Sequence, residues 1–121
     1  MMNPKNILII IRQAPFSSTL PAAALDILLT AAAFEQELTL LFMGEGVLHL
    51  LSEQNATASG MRNISKALTS LELYDVEQIF IEEGALNSRQ LENEKLVLQL
   101  DTLSLSQIAE SIEKADQVFN F

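Results

Sequence analysis

The stretch Leu68-Thr69-Ser70-Leu71-Glu72-Leu73-Tyr74-Asp75-Val76-Glu77-Gln78-Ile79-Phe80-Ile81 changes its hydrophobic period partway along. Leu68 and Leu71 are three apart, as on one face of a helix, whereas Val76, Ile79, Phe80 and Ile81 form a short β-branched and aromatic run. A helix that feeds a buried strand is the unit from which α/β proteins are built.

The same alternation extends in both directions. Strand candidates occupy residues 6–11, 38–43, 76–81, 96–100 and 117–121. Their apolar residues run on without strict alternation, which is the mark of strands covered on both faces. Between them lie helical segments at residues 21–34, 47–51, 59–71 and 104–115. The first follows Ser17-Ser18-Thr19, a source of capping hydroxyls, and opens on Pro21, which suits a first helical turn. The last sets Leu105, Ile108, Ala109 and Ile112 on one face and turns Glu110, Glu113 and Lys114 outward. Residues 52–58 are polar and loop-like, and residues 85–95 read mostly as loop. The pattern predicts one α/β domain over residues 1–121, a three-layer α/β/α sandwich around a mainly parallel five-stranded sheet of flavodoxin-like type. Binding sites in such sheets lie at the carboxyl ends of the strands, here residues 12–19, 44–49, 82–86 and 101–103.

Composition narrows the chemistry. The 121 residues are 49% hydrophobic, and the mean hydropathy of +0.24 is high for a monomer. Two accounts of this excess stand side by side: a sheet apolar on both faces, and a subunit interface. The net charge of −9 is concentrated in residues 45–121, which hold thirteen acidic and five basic side chains. With seven Lys and Arg in all and no basic stripe, direct nucleic-acid binding is disfavoured. There is no cysteine, which excludes disulfides, thiolate chemistry and Cys-ligated metals, and a single histidine argues against a zinc site. The apolar window at residues 20–34 is broken by Pro21 and Asp26 and is too short to span a bilayer, and residues 7–11 make no signal peptide. The expected setting is the cytoplasm, with no cofactor.

Several local clusters invite functional readings. Residues 15–19 carry three hydroxyls but no glycine, so they match no phosphate-loop fingerprint and read as a helix cap. Arg12-Gln13 stand where a phosphoacceptor receiver domain needs magnesium-binding acids. Glu45 and His49 are four apart and offer an acid–base pair at a strand tip, or else a surface carboxylate at a helix start. Gly44 and Gly46 suit a tight strand-to-helix turn. Glu72, Asp75, Glu77, Glu82 and Glu83 form either a solvated rim or a dock for a basic partner. Tyr74, the one tyrosine, is a packed aromatic or an interface anchor.

Ala14-Pro15, Leu25-Asp26-Ile27-Leu28-Leu29, the run from Leu41-Phe42-Met43 through Gly44-Glu45-Gly46-Val47-Leu48-His49-Leu50-Leu51, then Leu71-Glu72-Leu73-Tyr74-Asp75-Val76-Glu77 and the closing Ala115-Asp116-Gln117-Val118-Phe119-Asn120-Phe121 together resemble the TusC/DsrF family of bacterial sulfur-relay proteins, within the DsrE-like group. The likeness covers nearly the whole chain. It departs from the family pattern at Glu45-Gly46, where Asp-Gly is usual, at His49, often Gln, and at Ser52-Glu53-Gln54-Asn55, which replaces Gly-Gln-x-Pro.

The resemblance implies a non-catalytic subunit of a heterohexamer, two copies each of three homologous B-, C- and D-type chains. Such a complex takes persulfide sulfur from a small carrier protein and relays it toward 2-thiouridine at the tRNA wobble position, or serves sulfur oxidation in the dissimilatory relatives. The reactive cysteine then lies on the D/E-type partner. Glu45, His49, Leu73, Tyr74 and Asp75 are the candidate interface or pocket-lining residues. The competing expectation is a free-standing ligand-binding or catalytic domain using the loops around Glu45 and His49.

Overall fold

A computed structural model describes residues 5–13, 26, 27, 30, 36–50, 78–91 and 100–121. Five strands, β1 (Asn6–Ile11), β2 (Glu37–Phe42), β3 (Gln78–Glu82), β4 (Asp101–Leu103) and β5 (Gln117–Asn120), form one sheet in the order β4-β3-β2-β1-β5. Every pairing is parallel, with Ile9 opposite Leu40 and Phe119, and Phe80 opposite Asp101. The helix Leu105–Lys114 joins β4 to β5, and a 3-10 helix, Gly44–Leu50, follows β2.

The architecture follows from β1. Its residues 7–11 are apolar without interruption and all buried, so both faces of an interior strand need cover. Ile7, Ile9 and Ile11 join Leu38, Leu40, Phe42, Val47, Leu50, Ile79 and Ile81 on one face. Leu8 and Ile10 join Leu41 and Ile108 on the other. Burying each such side chain contributes roughly 1.5–3 kcal/mol. The direction of travel explains which segment covers which face. The steps β1→β2→β3→β4 all move one way across the sheet, whereas β4→β5 returns past them to the far side of β1. Right-handed crossovers of opposite travel fall on opposite faces. Accordingly Ile27, between β1 and β2, packs on the Ile9 face, while Ile108, between β4 and β5, lies on the Leu8 face. The sheet is therefore layered on both sides, as the α/β/α reading anticipates.

Three of the strand expectations agree closely with the structure. β1 matches residue for residue, β2 starts and ends one residue earlier than residues 38–43, and β5 closes one residue before Phe121. The strand expected at 76–81 ends at Glu82, and its first two residues lie outside the described ones. The fourth expectation needs correction. Residues 96–99 are outside the described set, but Leu100 is not in a strand, and β4 is Asp101–Leu103, which the sequence pattern made a strand-end loop. Apolar runs report burial, not ladder bonding. β4 is an edge strand whose Asp101 and Thr102 face water, so polar residues serve there. The short helix expected at 47–51 starts earlier, at Gly44, and is 3-10. Residues 26, 27 and 30 are helical, but the rest of the helices expected at 21–34 and 59–71, the loop 52–58, and Leu73, Tyr74 and Asp75 lie outside the described residues. Among the described residues no helix is long and apolar enough to cross a membrane.

The helix Leu105–Lys114 begins with a reciprocal cap. Ser104 Oγ accepts the Gln107 N–H, and Gln107 Oε1 accepts the Ser104 N–H at 2.8 Å. The hydrophobic face expected of it is only partly used. Ile108 alone is buried, whereas Ala109 is exposed and Leu105 and Ile112 remain 74% and 42% exposed. Replacing Ser104 by Ala removes the side-chain arm of the cap, the Oγ that accepts the Gln107 N–H, and leaves the backbone N–H that donates to Gln107 Oε1. We expect a loss of about 1 kcal/mol in urea unfolding, with the native circular-dichroism spectrum kept.

Candidate functional site

The carboxyl ends of β1, β2 and β3 meet through backbone before any side chain takes part. The Ile11 carbonyl accepts the Met43 N–H at 3.0 Å. The chain then turns through Gly44, whose φ of +52° lies in the left-handed region that favours glycine. Gly46 comes so close to the end of β1 that a Cβ there would stand 1.9 Å from the Ile11 carbonyl oxygen. On the other side of β1, the Phe121 carbonyl accepts N–H groups from Arg12 and Gln13. This is the switch point of the sheet, where the chain leaves β1 toward β2 and returns at β5.

Side chains bind the tips together. Glu82, at the end of β3, accepts the Gly44 N–H at 3.1 Å. Glu45 Oε1 accepts from Arg89 Nε and Nη2 at 3.3 and 3.1 Å. Arg89 also donates through Nη1 to the Ala85 carbonyl and to Ser88 Oγ. With Glu45 57% exposed, this ion pair is screened and worth at most about 1 kcal/mol. Its service is geometric, since it anchors the turn after β3 to the turn after β2.

His49 is 2% exposed. Its Nε2 lies 2.8 Å from the Gln13 carbonyl oxygen. A carbonyl only accepts, so Nε2 carries the proton and donates. The ring also stands against Phe42, centroids 6.4 Å apart. Burial pushes its pKa below the ordinary value, against a smaller upward pull from the bond to Gln13.

The structure does not bring Glu45 and His49 together. Residues four apart share a face on an α-helix, but a 3-10 helix has three residues per turn and rotates them apart. Glu45 turns out to Arg89, and His49 turns in to Gln13. Glu45, Glu82 and His49 are each engaged in holding backbone or a neighbour. Among the described residues no three His, Asp or Glu side chains converge as for a metal. Of the acidic group, Glu82 is half-buried and bonded while Glu83 is exposed; Glu72, Asp75 and Glu77 lie outside the described residues. Arg89 went unnoticed in the sequence, and Gln13 was read only for the acid it lacks. Arg89 sits 44 positions from Glu45 in a loop-like segment, and Gln13 acts through its backbone, which carries no residue signal.

The fold and these tips define a doubly wound parallel α/β domain whose strand ends are tied by hydrogen bonds and an ion pair. The profile of the DsrE/DsrF-like family matches residues 5–121. The chain belongs to that family. It is 32% identical over 112 residues to a "Protein TusC homolog" of Aliivibrio fischeri, covering 93% of this chain and 95% of the relative. It is 27% identical to the "Intracellular sulfur oxidation protein DsrF" of Allochromatium vinosum, covering 91% of each. The crystal structure of the YchN protein of Escherichia coli superposes with a TM-score of 0.83 over 97% of this chain and 99% of that one. At 22% identity that likeness speaks for the fold.

Two outcomes follow from the geometry. Gly46→Ala drives a Cβ into the Ile11 carbonyl and is expected to lower stability by about 3 kcal/mol in urea unfolding. For His49, a depressed folded pKa means that the unfolded chain binds more protons on acidification. Its stability contribution is present above the unfolded value near 6.5 and is lost as pH falls through the folded one. His49→Gln keeps an amide donor and removes the titration, so the decline in stability below pH 6.5, followed by thermal unfolding, should flatten in the variant.

Proposed function

We propose that this chain is the C/F-type, non-catalytic subunit of a cytoplasmic sulfur-transfer complex that relays persulfide sulfur toward 2-thiouridine at the tRNA wobble position. The observation that carries the reading is the lack of any cysteine in a chain of this family. A persulfide is formed, held and passed on by thiolate sulfur. A chain without thiol serves such a relay by positioning those that have one. The relatives named TusC homolog, at 32% and 33% identity over more than nine-tenths of the chain, support the thiolation branch over the sulfur-oxidation branch.

In this reading the partners are homologous B- and D-type subunits, two copies of each chain making a heterohexamer, and the D-type subunit carries the reactive cysteine. Small carrier proteins deliver and receive sulfur through the complex, and the acidic chain itself does not touch tRNA. Leu73, Tyr74 and Asp75 belong at a subunit boundary, with Glu45 and His49 lining or buttressing the pocket edge. The bonded strand tips suit a scaffold: Glu45, Glu82 and His49 are spent on holding loop geometry.

Co-production with the B- and D-type subunits should yield one assembly, which native mass spectrometry should weigh as two of each chain. Deleting the gene should remove 2-thiouridine from tRNA hydrolysates. A chain that stays monomeric beside those subunits, together with intact thiolation in the deletion strain, would sink the reading.

A further inference from the structure

The helix Leu105–Lys114 is amphipathic in sequence, yet it spends one apolar residue on the sheet. At about 100° per residue, Leu105, Ala109 and Ile112 fall within about 60° of one another. Ile108 borders that arc on one side and enters the core beside Leu8, Ile10 and Leu41. Glu113 borders it on the other, with Glu110 beyond. All three arc residues are exposed, Leu105 to 74%. Val118, 40% exposed on edge strand β5, pairs in register with Leu8 and so presents its side chain on the same face of the sheet. Leu105, Ile112 and Val118 are the large hydrophobic side chains left exposed among the described residues, and all three lie on this one side.

The charge around them selects the occupant. Residues 100–121 carry Asp101, Glu110, Glu113 and Asp116 against a single base, Lys114, which is paired with Glu110. A second copy docked by a twofold axis would set this acidic rim against itself, in a chain whose net charge is already −9. Unlike chains escape that repulsion.

We propose that the arc Leu105–Ala109–Ile112, extended by Val118, is the surface on which this chain docks a different subunit, one presenting apolar side chains ringed by Lys and Arg. The inference rests on the subunit reading above and names the face that reading leaves open. It also explains why an exposed helix keeps leucine and isoleucine where solvent would favour polar residues.

The test uses the full chain co-produced with the B- and D-type subunits, as wild type and as the double variant Leu105→Glu, Ala109→Glu. Both positions are exposed, so the variant should keep its circular-dichroism spectrum and melting temperature. The wild type is expected to co-elute with its partners and the folded variant to lose co-elution, with at least about a 100-fold weaker apparent Kd in titration. Glu113→Lys should weaken association several-fold at low salt and less at high salt, as expected for a lost opposite-charge contact. A folded double variant that assembles as well as wild type overturns the surface while leaving the subunit reading standing. A wild-type chain that fails to assemble at all overturns the subunit reading and the surface with it. Sedimentation in which the isolated wild type dimerises and the double variant does not would give the face to a second copy, and would also overturn the proposal.

Discussion

β1 is the strand that the rest of the molecule is arranged to satisfy. Residues 7–11 present five consecutive apolar side chains, so neither face can be left to water, and both backbone edges need partners. Parallel pairing with β2 on one edge and β5 on the other meets the second need. The first dictates topology. Among the described residues, Ile27, Val47, Leu50 and Ala85 of the connections travelling one way pack on the Ile9 face, and Ile108 of the returning connection packs on the Leu8 face. The helix Leu105–Lys114 is that returning connection, which is why β5 lands beyond β1 instead of beyond β4.

The same strand governs its carboxyl end. The Ile11 carbonyl accepts from Met43 and leaves no room beside it for a side chain at residue 46. The segment after β2 winds as a 3-10 helix, and the tighter winding separates Glu45 from His49. One faces outward to an arginine on the β3 turn, while the other is buried against Phe42 and bonded to the β1 tip. A pairing that α-helical spacing makes attractive is thus undone by 3-10 winding. The residues remain functional in another sense, since together with Glu82 they hold three strand ends in fixed relation.

What was legible in the sequence was whatever burial determines. The Ile/Leu runs of β1 and β2 are local statements about water, and a sequence carries them openly. β4 was displaced because an edge strand owes its existence to a neighbour's backbone, not to apolar side chains. Arg89 and the role of the Gln13 carbonyl were hidden for the same reason: one depends on a partner 44 residues away and the other is a backbone contact. Of the candidate site, the two glycines could be read as a tight turn, but the helical type that decides where Glu45 and His49 point could not be read.

The apolar excess of the chain bears on its role. A two-sided sheet accounts for part of it: β1 and β2 bury their isoleucines, leucines and Phe42 almost completely. It does not account for Leu105, Ala109, Ile112 and Val118, which stay outside the core on the side that the returning helix covers. Were the fold the whole requirement, a helix held by Ile108 and capped by Ser104 would need none of them. The two accounts of the composition therefore divide the molecule between them. The strands are apolar for the sake of the fold, and the outer arc of the last helix is apolar without joining the described core. In the proposed subunit role a cysteine-free chain contributes geometry, and this arc is the part of the described surface through which it would impose that geometry on a neighbour.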